Sequence, residues 1–445
     1  MENNITMEKM RRRDFIRTGS VLTGAGALAA TPVGSIFAAG SDVIKVALIG
    51  CGDRGTGAVF QALQSGQNVK LVALADPFRD RLDEAYSAAK QKFGDKVDVP
   101  DSRKYGGFEG YKAAIRDADV VILTAPPAFR PAHFAEAVRQ NKHMFMEKPV
   151  AVDAPGIRSV LASAEEAKRK KLNVVVGLQR HYRTCYVEGM KRVHDGAIGD
   201  IVSGQVYWNG GTVWCRPRKP GQTEMEYQVN NWNYFYWLSG DHIVEQHVHN
   251  IDVANWAKGK YPVSIQGTGS RAHRHGSQHG QIYDNFSVEM TYDDGAVIYS
   301  QCRQIPGVKN RIDETFQGTK GHVYMSDFGK DSVVLKDWRG RDIYHHDATS
   351  DPNPYQVEHD ILFAAVAKGE YKFADAENAA RSTMAAIMGR IACYTGKIVT
   401  LDDAMKSNIS LMPDRMAFDV QPKVQPGADG EYPVAVPGIN TERYI

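Results

Sequence analysis

From residue 43 onward the chain alternates two kinds of segment. Continuous apolar runs of strand length, Val43 to Ile49, "NVKLVALAD", "ADVVILTAP", "KHMFMEKP" and "NVVVG", are separated by stretches with helical spacing such as 132–141 and 153–171. Apolar strands alternating with helices predict a parallel, doubly wound sheet, the α/β arrangement of a Rossmann domain. Past "NVVVGLQRHYR" this rhythm fails. Short alternating segments follow: "IVSGQVYWNGG", "VSIQGTGS", "FSVEMTYDDGAVIYSQCR" with an Asp294-Gly295 turn, and "HVYMSD". They predict a second α/β domain with a mostly antiparallel sheet. Residues 354–396 return to helical spacing, and the Pro/Gly-rich tail from 412 predicts an irregular surface arm. The expected division is 1–40, 41–170, 171–400 and 401–445.

The first strand runs straight into Gly50-Cys51-Gly52-Asp53-Arg54-Gly55, and a helical pattern follows. This is GxGxxG in the context that gives it meaning, strand, tight turn, helix. Gly50 permits the turn, Gly52 lets a pyrophosphate approach the backbone, and Gly55 lets the helix pack close to the sheet. The phosphates then meet free N–H groups at a helix N-terminus. The second strand ends in Asp76, 21 residues after Gly55, where a carboxylate hydrogen-bonds the adenosine ribose and repels the extra phosphate of NADP. The expected cofactor is NAD. Arg79 and Arg81 keep NADP as the less favoured alternative, and a bare turn cap before Pro77 is the bland reading of Asp76. Pro126-Pro127 and Glu147-Lys148-Pro149 also fall at strand ends, where open α/β sheets bind ligands.

Composition adds limits. A chain of 445 residues, 43% hydrophobic, is long enough for two domains. Its formal charge of +2 is matched by the excess of basic groups within residues 1–39; no basic tract follows, so nucleic acid is not an expected partner. Five scattered cysteines without a CxxC pair indicate neither a disulfide framework nor a zinc ribbon. The N-terminal basic cluster, "RRDFIR" and a Gly/Ala-rich apolar run to Ala39 read as a twin-arginine export signal. Its glycines, proline and threonines make it a poor membrane span. The expectation is a periplasmic or otherwise exported protein, with no stable membrane insertion after cleavage.

Residues 240–252, "GDHIVEQHVHNID", hold three histidines among carboxylates. On a continuous helix His242, Glu245, His249 and Asp252 share an arc of about 80°, opposite an apolar stripe, and His247 lies nearer the apolar side. The two histidines of His247-Val-His249 therefore do not converge, and no metal is expected. Trp208, Trp214, Trp232 and Trp237 are either sugar platforms or core. Glu358-His359, at the start of a late helix, read as capping residues.

"GCGDRG", "ALADP", "TAPP", "EKPVAVD", "GLQRHYR", "HDGAIGDIV" and "GDHIVEQHVHNID" occur in the order and spacing of the Gfo/Idh/MocA oxidoreductases, and the chain resembles that family over about residues 44–400. The resemblance implies a Rossmann domain followed by an α/β domain whose large open sheet lines the substrate site and makes the contact of a homo-oligomer. It implies a catalytic set of Lys148, Glu245 and His249, the acid being one methylene longer than the family's usual aspartate. His249 is then the general base, Lys148 stabilises alkoxide character, and Glu245 either orients the imidazole or pairs with Lys148. Glu147 and Pro149 shape the turn and the nicotinamide pocket, and Pro126 is a further cofactor-binding candidate. Arg180, Tyr182, Asp252 and Trp232 are candidate substrate contacts.

Three functions fit these residues. The first is an exported oxidoreductase moving hydride between tightly bound NAD and a sugar, cyclitol or glycoside. The second is a redox-neutral glycosidase of the N-acetylgalactosaminidase kind, which oxidises, eliminates and re-reduces. The third is a sugar sensor that merely retains NAD. The intact Lys148/Glu245/His249 set favours the first.

Overall fold

The structure is a computed structural model that describes residues 43–439 and 441–444; the expected export signal at 1–40 lies outside them. The apolar runs become one parallel sheet of β1 (Ile44–Ile49), β2 (Val69–Asp76), β3 (Lys104–Gly106), β4 (Val120–Leu123), β5 (His143–Met146) and β6 (Val174–Val176), ordered β3-β2-β1-β4-β5-β6. The direction of winding reverses between β1 and β4, and the crevice opens there. β3 escaped the apolar pattern because it is a three-residue edge strand with no buried residue. β6 carries the sheet past residue 170, to Val176.

Helices cover both faces, and their sequences say how. Helix Asp53–Leu63 buries Gly55, Ala58, Val59, Ala62 and Leu63, a stripe small enough for close approach to β1 and β4. Helix Ala154–Arg169 is capped by Asp153, whose Oδ1 accepts Gly156 N–H at 2.8 Å; such a cap stabilises by about 1 kcal/mol. It buries Ile157, Val160, Ala164 and Ala167 at the three- and four-residue spacing of one helical face.

The second sheet has nine strands: β7 (Ile201–Gly210), β8 (Ser264–Ser270), β9 (Asn285–Thr291), β10 (Val297–Gln304), β11 (Arg311–Gly318), β12 (Gly321–Met325), β13 (Val333–Asp337), β14 (Asp342–His346) and β15 (Val399–Thr400). Their order is β14-β13-β12-β11-β7-β10-β9-β8-β15. Every pairing is antiparallel except that of β7 with β10. The Asp294-Gly295 turn joins β9 to β10, with Gly295 at φ +81°. In β10, Ile298, Ser300, Cys302 and Gln304 are buried in alternation with less buried neighbours. This buried face carries helices Val248–Lys258 and Ala376–Thr395.

The chain then returns to the first sheet. Helix Pro354–Ala367 places Leu362, Phe363 and Val366 in the same core as β1 and β2, and Gln356 Nε2 donates to Gln61 O at 2.9 Å. Its cap is Asn353, whose Oδ1 accepts Tyr355 N–H at 3.0 Å. Glu358 and His359, expected at the cap, lie one turn further in and are fully buried. Residues beyond Lys406 form an irregular arm that crosses both sheets' helices.

Candidate active site

The glycine turn makes a cradle by exclusion. Gly50 has φ +95°, and a Cβ there would lie 2.3 Å from Ala125 N. A Cβ on Gly55 would lie 2.0 Å from Gly50 O and 2.7 Å from Thr124 Oγ1. A Cβ on Gly52 would meet nothing within 4 Å. So Gly50 and Gly55 hold the turn closed while Gly52 faces open space. No side chain caps helix Asp53–Leu63, and its first-turn N–H groups have no intrahelical acceptor. Asp53 is exposed and offers its backbone.

Asp76 closes the turn from the neighbouring strand. Its Oδ2 accepts Cys51 N–H at 2.8 Å and its Oδ1 accepts Phe78 N–H at 2.9 Å. Burial raises its pKa, against the pull of Arg81 and these two amides. The carboxylate thus caps the turn before Pro77 and also ties it to the glycine turn. Each oxygen keeps a lone pair for a ribose hydroxyl. Beside it runs an apolar slot between Phe78, Phe108, Phe129 and Pro126. These residues fit an adenosine diphosphate: free amides for phosphate, a carboxylate for ribose, aromatic walls for a purine.

Pro126 separates this slot from a second cavity of about 370 Å³, lined by Arg54, Lys148, Trp232, Glu245, His249 and Tyr355, among others. Arg54 Nε pairs with Glu147 Oε1 at 2.5 Å, and Nη1 donates to Gln61 Oε1 at 2.9 Å. Buried Arg130 donates to Glu147 O at 3.0 Å and Ala125 O at 2.6 Å, pinning the ends of β5 and β4. Burial lowers its pKa to about 10, so it stays charged at neutral pH. Lys148 Nζ donates to Glu245 Oε1 at 3.0 Å and to Glu245 O at 2.5 Å. Of the two roles left open for Glu245, the geometry shows the pairing with Lys148.

The stretch 240–252 is not one helix. Asp241, at φ +70°, is fixed by Tyr283 N–H at 2.9 Å and Tyr394 O–H at 2.5 Å. Helix His242–Glu245 then ends, and helix Val248–Lys258 begins after His247. The expected common stripe is therefore lost. His242 is buried against Phe286 with neither ring nitrogen hydrogen-bonded. His247 is buried on Ser300 Oγ at 2.7 Å, and burial, then His242 and Arg180, lowers its pKa to about 3. His249 alone of the three lines the cavity, its ring stacked 5.7 Å from Trp208. Burial, then Lys148, Arg180 and His247, holds its pKa well below the usual value near 6.5. His249 is a neutral imidazole at pH 7, able to accept a proton. Among the described residues no group of three His, Cys, Asp or Glu side chains converges as metal ligands.

Of the four candidate substrate contacts, the structure brings only Trp232 to the cavity. Arg180 is buried behind it, bound to Glu314 Oε1 at 2.7 Å and Asp327 Oδ2 at 2.9 Å. Tyr182 donates to Asp375. Asp252 is buried and receives Ser382 Oγ–H at 2.8 Å and Asn378 Nδ2–H at 3.0 Å, with His181 Nε2 at 2.6 Å. These three are held by protein partners and do not line the cavity. Sequence reasoning missed Arg130, Gln246 and Tyr355. Arg130 follows the Pro-Pro turn with no motif of its own. Tyr355 was detectable only as a neighbour of the late helix start.

A family profile described as "Oxidoreductase family, NAD-binding Rossmann fold" matches residues 44–176, and the "GFO/IDH/MocA C-terminal domain" matches residues 186–324, together more than half of the chain. The chain is similar to inositol 2-dehydrogenase of Rhizobium meliloti (strain 1021), 24% identical over 63% of this chain and 74% of that protein. Its fold is similar to aldose-aldose oxidoreductase from Caulobacter crescentus, with a TM-score of 0.61, 18% identity and coverage of 81% and 100%. It is also similar to levoglucosan dehydrogenase in complex with NADH and levoglucosan, with a TM-score of 0.63, 16% identity and coverage of 81% and 99%.

The cradle yields a paired prediction. Gly55→Ala forces backbone apart and is expected to cost about 1–3 kcal/mol of stability, seen as a lower melting temperature. Gly52→Ala is expected to melt like the wild type but to bind NAD more weakly in a titration. Equal melting of the two variants, or full NAD affinity in Gly52→Ala, would contradict this assignment.

Proposed function

The chain belongs to the GFO/IDH/MocA oxidoreductase family, and on that premise we propose that it oxidises a ring hydroxyl of a cyclitol, sugar or glycoside using tightly held NAD. One observation carries the reading: Lys148 and Glu245, hydrogen-bonded across the cleft, line a single cavity with the neutral imidazole of His249. The inositol 2-dehydrogenase relative supports a polyhydroxylated ring, as does Trp232, an aromatic face on the cavity wall.

Bound NAD supplies the hydride acceptor. The remaining work falls to side chains. Hydride leaves a carbinol carbon readily only if the hydroxyl proton leaves too, and His249 takes that proton. Lys148 has three N–H donors. Two are held by Glu245, and the third is available to the substrate oxygen, where it stabilises alkoxide character. Glu245 fixes the ammonium in place through a side-chain and a main-chain oxygen. Trp208 backs the His249 ring, and Arg180 behind the wall disfavours its protonation.

His249→Ala is expected to keep NAD bound and to lose turnover by about 10²–10⁴-fold, the usual contribution of a positioned base; Lys148→Ala is expected to fall in the same range. His247→Ala is expected to lower stability more than turnover. Mass spectrometry of products from a panel of cyclitols, sugars and glycosides identifies the reaction. A ketone two mass units lighter supports oxidation. Free sugar from a glycoside with no net change in NAD assigns the oxidation–elimination–reduction cycle instead, and full activity of His249→Ala removes the proton-transfer reading.

We further propose export by the twin-arginine route after NAD has bound in the cytoplasm, on the strength of "RRDFIR" ahead of a dinucleotide fold. Replacing Arg12 and Arg13 by lysine is expected to leave folded, NAD-loaded protein in the cytoplasm. Undiminished export of that variant, followed by fractionation, would overturn the route.

A further inference from the structure

The aromatic wall of the adenosine slot is backed by a residue from outside the nucleotide-binding sheet and its helices. Phe418, in the C-terminal arm, lies with its ring 5.4 Å from Phe78 and 4.8 Å from Phe108, the two aromatics that line the slot beside Asp76. Hydrogen bonds hold the arm on both sides of that position. On the nucleotide-binding side, Leu411 N–H donates to Asp153 Oδ2 at 2.8 Å, and Arg158 Nη1 donates to Met405 O at 2.7 Å and Ser407 O at 2.8 Å. Beyond Phe418, Val424 O accepts Gln228 Nε2–H at 2.8 Å, Tyr432 bonds Glu224, and Ala435 O accepts Tyr283 O–H at 2.8 Å. The arm therefore ties helix Ala154–Arg169 to helix Glu224–Asn230 and to the segment just before β9.

A second tie crosses the same mouth. Arg81, from the loop and helix after β2, donates through Nη2 to Asn230 Oδ1 at 2.7 Å. Arg216, from the segment after β7, donates through Nη1 to Asn230 O at 3.0 Å. One asparagine thus brings two guanidinium groups together beside Asp76, and the carboxylates of Asp53, Asp76 and Glu84 partly offset the repulsion between them. Val229, its neighbour, lines the slot. The slot is an open cleft between these aromatic side chains and Val229.

We propose that Phe418 and the Arg81–Asn230–Arg216 clasp are cofactor-binding residues: the arm closes over the adenine and the clasp over the adenosine diphosphate, so that a seated dinucleotide is retained through many turnovers. This rests on the reading of the cleft as an NAD site and assigns the retention to residues outside the glycine fingerprint. The alternative is that Phe418 only shields Phe78 and Phe108 from water. That role affects melting but not the rate of nucleotide release.

The test is a chase. Full-length protein loaded with adenine-labelled NAD is mixed with a large excess of unlabelled NAD, and loss of label is followed. Phe418→Ala is expected to release label about tenfold or more faster than wild type, in line with the loss of two aromatic contacts. Phe418→Tyr is expected to restore slow release, and Asn230→Ala to accelerate it. Equal release by wild type and Phe418→Ala, or a wild type that exchanges within seconds, would overturn the retention proposal while leaving the NAD site standing. Failure of labelled NAD to bind at all would remove both.

Discussion

The contact on which the proposed catalytic geometry depends is the one between Lys148 and Glu245. Lys148 stands at the end of β5, and Glu245 closes a short helix of the other domain, 97 residues away. The ammonium is held by a side-chain oxygen and a main-chain oxygen of the same residue. Side-chain exposures of 11% and 16% put the pair in a setting where neither group is freely hydrated. Such a pair contributes modestly as a whole, yet removing one partner leaves a poorly solvated charge behind. The contact thus acts chiefly as a gauge: it fixes the distance between the strand ends of one sheet and the short helices under the other. His249, four residues after Glu245, is brought to the same cavity.

The charges behind the cavity set its chemistry. Arg180, bound to Glu314 and Asp327, is a buried cation whose own acceptors hold it. Burial pushes Glu314 up to about 7, against the pull of Arg180. Burial, then Lys148 and Arg180, disfavours an imidazolium at His249. A base kept neutral beside a stabilised oxyanion suits removal of a hydroxyl proton.

Much of this was legible in the sequence because it depends on local pattern. The six-residue turn from Gly50 to Gly55 and the carboxylate at Asp76 are fixed by backbone requirements that leave few alternatives, and apolar runs announce buried parallel strands. The catalytic trio came from the family resemblance, since nothing local says that Lys148 and Glu245 meet. The substrate contacts were less legible. Arg180, Tyr182 and Asp252 are ionisable groups next to site motifs, and their partners, Glu314, Asp327, Asp375, Asn378 and Ser382, lie 126 to 193 positions away. Helical spacing also assumed continuity through 240–252, which the buried Asp241 corner and the break before Val248 remove. The arm over the slot has no periodicity at all, and Phe418 is one aromatic in an irregular stretch.

The central claim, that a neutral His249 beside Lys148 accepts the substrate proton, is tested most directly by the pH dependence of single-turnover NAD reduction, followed by absorbance. Neutral imidazole is the active form and predominates above its pKa. A pKa lowered by burial and by Lys148 places the acid limb below 6.5, with the rate still near its plateau at pH 6.5. Removing the positive charge in Lys148→Met lets that pKa rise, so the residual rate is expected to show its acid limb at higher pH. An acid limb at or above 6.5 in the wild type, unmoved in Lys148→Met, would contradict the account.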